Sequence, residues 1–144
     1  QPPGQEVEAF SPWRRLVRGG GISVVVVGPL AGPFWQHMLS MNESTRPDLW
    51  VLGELPVTDI SDMPPALLTN IRANGLCVVE EHGLQGSAGQ QLAALLMGGG
   101  FTPPQFLHCY AKGYLSGTYG SQSFHRHESG LEPGQVMEAL GIAP

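Results

Sequence analysis

Apolar residues fall in short, separate runs along the chain. Ile22-Ser23-Val24-Val25-Val26-Val27 carries four consecutive valines, which resist helix and pack well on a pleated surface. A run apolar on both faces predicts a central strand covered on both sides. Asp48–Leu55, with Leu49 and Val51 alternating with Trp50 and Leu52, predicts a second strand, Leu76–Glu80 a third and Gln105–Ala111 a fourth. Between them lie helical stretches. Leu30–Asn42 tolerates Pro33 only in its first turn. Pro64–Ala73 can be capped by Ser61 or Asp62 and is closed by Asn74-Gly75. A third helix opens near Ser87 and runs to Met97, with Leu92, Leu95 and Leu96 on one face. Pro133–Leu140 closes the chain, turning Val136, Met137 and Leu140 inward. Strand and helix therefore alternate. That order predicts an α/β fold, a three-layer sandwich with a mostly parallel sheet of about five strands and helices on both faces.

Residues 1–11, with Pro2, Pro3, Gly4 and acidic or amide side chains, read as a linker or tail, and 12–144 as one α/β domain. Pro12-Trp13-Arg14-Arg15-Leu16-Val17 offers an apolar anchor with two cations, and Gly19-Gly20-Gly21 breaks the chain after it. Trp35 and Trp50 read as core or half-buried packing residues. At 144 residues the chain suits one domain. No apolar run approaches the roughly 18–20 residues of a membrane-spanning helix.

Composition adds two things. The formal net charge is −5, so the basic footprint of a general nucleic-acid binder is missing. Charged residues make up only 13%, against about a quarter in an ordinary domain, while Gly (20) and Pro (13) are together nearly double their usual ~12%. Few charges and many turn-formers suit a domain whose surface is partly covered by something else. Cys77 and Cys109 lie in apolar runs and read as thiols rather than a disulfide, which favours a reducing, cytoplasmic setting.

The richest stretch for chemistry is Val78–Gly89. A buried strand runs into Glu80, Glu81 and His82, and a glycine turn then leads into a helix. Ligands of open α/β sheets bind beyond the carboxyl ends of strands, and a helix N-terminus presents unpaired N–H groups. Gly86, Ser87 and Gly89 are therefore an anion-binding candidate. Glu80 and Glu81 speak against an anion there, and the turn lacks the Lys-Ser/Thr of a P-loop. A purely structural turn, letting strand and helix pack closely, is the stronger reading of these glycines. No catalytic residue is assigned: the chain has no Gly-x-Ser-x-Gly elbow. His37, His82, His108, His125 and His127 lack the dense spacing of a metal site, so no metal ligands are assigned either. Tyr114, Tyr119, Phe124 and Arg126, with Tyr110 nearby, form an aromatic loop of low charge. With Glu81 and His82 they are the interface candidates.

Glu80-Glu81-His82, a spacer, and Gly86-Ser87-Ala88-Gly89 before a helix resemble the Glu-Glu-His…Gly-Gly-Leu-Gly segment of the transketolase C-terminal domain. Related segments occur in 1-deoxyxylulose-5-phosphate synthases and 2-oxoacid dehydrogenase beta subunits. Gly20–Pro29 resembles that family's opening strand. Pro56 and Asp59 resemble its Pro-Leu-Asp, with one extra residue between them. Ser129-Gly130-Leu131 before Pro133 resembles its closing His-Gly-Leu and last helix. The likeness runs through nearly all of Trp13–Ile142. Ser87 and Ala88 depart from the family's Gly and Leu, and Lys112–Glu128 does not align.

The resemblance implies a division of labour. In the family, one domain holds the diphosphate of thiamine diphosphate and a divalent metal, and a second holds the aminopyrimidine ring. The third, similar to this chain, packs against the others and buttresses the dimer. The implied role is a C-terminal assembly domain, with no cofactor of its own, of a transferase moving two-carbon ketol units between sugar phosphates. Its partners would be the other domains or subunits of a homodimeric parent. Consistent with that, the chain has no Gly-Asp-Gly with a downstream Asn. The alternative is a stand-alone module binding a nucleotide or phosphorylated metabolite at Gly86–Gly89.

Overall fold

The computed structural model describes residues 12–27, 30–53, 59–81, 87–110 and 130–142. Their strands are β1 (Trp13–Val17), β2 (Ser23–Val27), β3 (Asp48–Leu52), β4 (Leu76–Val79) and β5 (Phe106–Cys109). Their α-helices are α1 (Ala31–Leu39), α2 (Pro65–Asn74), α3 (Ala88–Gly98) and α4 (Pro133–Ala139), with a 3-10 turn at Ile60–Asp62. The strands form one sheet in the order β1-β3-β2-β4-β5. β2 lies parallel to β3 and β4, and β4 parallel to β5, while β1 joins β3 antiparallel at one edge.

The valine run explains the layering. Successive side chains of a strand point to opposite faces. Val25 and Val27 pack in a cluster with Trp50, Leu67 and Ile71 of α2, and Leu92 and Leu96 of α3. Val24 and Val26 pack in the other, with Phe34 and Met38 of α1, and Val136 and Met137 of α4. Helices thus cover both faces of a mostly parallel sheet. Val24, Val25 and Val26 are fully buried. Each such side chain contributes about 1.5–3 kcal/mol by leaving water.

Two local readings are revised. Trp13–Val17 is a strand, not merely an anchor: Trp13, Arg14 and Arg15 pair with Leu52, Val51 and Trp50. Its short length and two arginines hide the period-2 pattern that would have marked it. Trp35 is 47% exposed, whereas Trp50 is buried. Trp35 follows Phe34 on α1, and a 3.6-residue period cannot turn both neighbours fully inward.

A buried carboxylate ties β1 to the sheet. Asp48 accepts hydrogen bonds from Arg15 Nε (3.0 Å), Gly19 N–H (3.1 Å) and Trp50 Nε1 (2.8 Å). Arg15 Nη2 lies 2.8 Å from the same carboxylate, and its guanidinium sits 5.5 Å from the Trp50 ring centroid. Gly19 packs directly on the carbonyls of Arg46 and Pro47, where a Cβ would overlap backbone.

Candidate functional site

The chemistry-bearing residues gather where β4 and β5 end and α3 begins. Glu80 follows β4 directly, and its N–H donates to Cys109 O (3.0 Å), which holds it level with the end of β5. Its side chain is fully buried. One carboxylate oxygen accepts from Ala88 N–H (3.0 Å), the other from Gly89 N–H (2.7 Å) and His108 Nε2 (2.7 Å). An ionised carboxylate has no hydrogen to give, so opposite it His108 Nε2 acts as the donor.

Local sequence builds this arrangement. Ser87 caps α3, its hydroxyl accepting from Gln90 N–H at 3.3 Å. The first N–H groups of a helix have no partner within it and carry the positive end of its dipole. Glu80 supplies both the acceptor and the negative charge. Glycine is required at 89, because a Cβ there would overlap the His108 ring. Tyr110 flanks His108, their ring centroids 4.9 Å apart.

Of the anion-binding candidates, Ser87 is the helix cap and Gly89 donates to Glu80, while Gly86 lies outside the described residues. Of the interface candidates, Glu81 is described and half-buried; His82, Tyr114, Tyr119, Phe124 and Arg126 lie outside the described residues. Sequence reasoning missed the pairing of Glu80 with His108, which are 28 residues apart. The signal was indirect: both sit at carboxyl ends of adjacent apolar runs.

Behind this site, on the α1/α4 face, Cys77 and Cys109 belong to one apolar cluster and form no disulfide. The Cys77 thiol is pushed well up from its ordinary range by its hydrogen bond with Cys109 and by burial. Among the described residues no three His, Cys, Asp or Glu side chains converge as a metal site. The two buried carboxylates, Asp48 and Glu80, already bind groups of the chain itself.

No protein-family model and no curated protein sequence matches the chain. Among solved structures it is similar to a split-gene transketolase, described as an inactive beta4 tetramer, with a TM-score of 0.68 and 18% identity. The match covers 95% of this chain and 45% of that one. The chain thus has a transketolase-like α/β domain fold, and it spans less than half the length of that protein. No described helix is long and apolar enough to cross a membrane.

Proposed function

We propose that this chain is the C-terminal assembly domain of a transketolase-like thiamine-diphosphate enzyme. The parent would transfer two-carbon ketol units between sugar phosphates in the cytoplasm as a homodimer. In this reading the cofactor and its divalent metal are held by other domains, and this one supplies packing and subunit contacts.

The observation that carries it is the self-saturation of α3. In a phosphate-binding module, a helix N-terminus at the sheet's carboxyl end would offer its N–H groups to the ligand. Here Ala88 and Gly89 offer theirs to Glu80, at 3.0 and 2.7 Å. The carboxylate charge at that point also repels an incoming anion. The transketolase-like fold and the low charge of 13% agree with a domain that is covered in its working state.

The test is a pair of titrations. The chain is titrated by calorimetry with thiamine diphosphate and magnesium, and separately with a panel of nucleotides and sugar phosphates. Neither series should give saturable heat. The polypeptide encoded next to this sequence should bind thiamine diphosphate, and ketol transfer should require both pieces. Cofactor binding by this chain alone would refute the division of labour. Saturable phosphate binding abolished by Gly86→Ala would favour the stand-alone module.

A further inference from the structure

The chain carries only seven Lys and Arg residues, yet four of them, Arg14, Arg15, Arg18 and Arg46, meet at the β1 edge of the sheet. Arg15 is spent on Asp48. The other three form no ion pair with a described residue. Arg14 and Arg18 are exposed, and neither makes a hydrogen bond or ion pair through its side chain with a described residue. Arg46 is anchored by its Nε, which donates to Arg18 O at 2.7 Å, so its guanidinium stays beside the end of β1. A net charge of −5 therefore coexists with a local concentration of positive charge on one edge.

That edge also offers backbone. β1 pairs with β3 on one side, and among the described residues no strand lies on its other side. An unpaired strand edge presents a row of N–H and C=O groups that a further strand can use. We infer that the β1 edge is a docking surface for an acidic, extended segment of a protein partner, which adds as a strand and places carboxylates on Arg14 and Arg18.

Charge selects this occupant. β1 ends at Val17 and its register shifts between Arg15 and Val17. Trp13 therefore packs in the core cluster on one face of the sheet and Val17 in the cluster on the other, and Arg14 and Arg18 do not share one regular register. An extended partner with carboxylates on both of its faces can offer one to each arginine. A second copy of this chain is disfavoured, because pairing β1 with β1 would set arginines against arginines, and like charges across strands repel. A nucleic acid is disfavoured because the cations are few and confined to one edge of an acidic chain. The inference stands apart from the enzyme reading, since it needs only the edge and its charges.

The experiment uses the whole chain and a short fluorescent peptide of valine and glutamate with carboxylates on both faces of its extended form. Fluorescence anisotropy at low salt should show saturable binding that weakens as salt rises. Arg14→Glu combined with Arg18→Glu should weaken it at least about tenfold. Arg72→Glu, on α2, should leave it unchanged. Both altered side chains are exposed, so circular dichroism should show an unchanged fold, and Arg14→Gln with Arg18→Gln gives a milder pair if it does not. In amide NMR spectra the peptide should shift the Trp13–Arg18 backbone signals. The idea is overturned if no saturable binding occurs, if Arg72→Glu weakens it equally, if the shifts fall elsewhere, or if single-stranded RNA binds more tightly than the peptide.

Discussion

Replacing Glu80 by alanine removes the carboxylate that meets the start of α3 from the end of β4. Three donors lose their acceptor: Ala88 N–H, Gly89 N–H and His108 Nε2. The carboxylate is fully buried. Each buried donor left unsatisfied costs about 1–3 kcal/mol, and the lost interaction with the helix terminus adds up to about 1. Water entering the vacated volume recovers part of this. The net cost should be about 3–5 kcal/mol, the usual range for breaking a buried pair by removing one partner. A domain of this kind has about 5–15 kcal/mol in total. With an m-value near 2 kcal/mol/M, the urea midpoint should fall by about 2 M. Hydrogen exchange should localise the effect, with the Ala88 and Gly89 amides speeding up well beyond those of β2. Glu80→Gln retains one acceptor oxygen but sets an NH2 against donors, so it should cost less, about 1–3 kcal/mol. A loss under about 1 kcal/mol for Glu80→Ala, or normal exchange at 88 and 89, would refute the claim that this carboxylate organises the site.

Asp48→Asn should loosen the β1 edge at a cost of about 2–4 kcal/mol, since Arg15, Gly19 and Trp50 all donate to that carboxylate. Trp50 fluorescence should shift to the red, and an unchanged spectrum with unchanged stability would contradict this. A pH dependence follows from Cys77, whose folded value is raised well above 9.0 by the Cys109 hydrogen bond and burial. The raised value favours the neutral thiol in the folded state, so its contribution is complete below about 9.0 and is lost as pH climbs through the folded value. Urea midpoints of Cys77→Ala should fall less steeply above pH 9.0 than those of the parent.

Much of the fold was legible in the sequence because it rests on local patterns. The valine run announced a strand covered on both faces, and the Pro64–Gly75 stretch announced a helix with its stop. Those elements agree with α2 (Pro65–Asn74) and β2 (Ser23–Val27) to within about a residue. The resemblance in Glu80–Gly89 pointed to the transketolase-like fold, although at 18% identity it rested on the order of small motifs. β1 was not legible as a strand, because five residues with two arginines carry no clear alternation.

The chain's own sequence therefore set its layers, since alternation along each strand dictates which side chains must find an apolar cover. Tertiary structure alone decided what the polar groups do. Glu80 could have met an incoming anion's counter-ion or closed on its own helix, and only the side-by-side placement of β4, β5 and α3 shows that it takes Ala88, Gly89 and His108. Hydrophobic burial is non-directional and leaves a periodic trace in one dimension. A hydrogen bond acts within about 3 Å between atoms that can lie anywhere along the chain, so its partner is settled only when the backbone has folded.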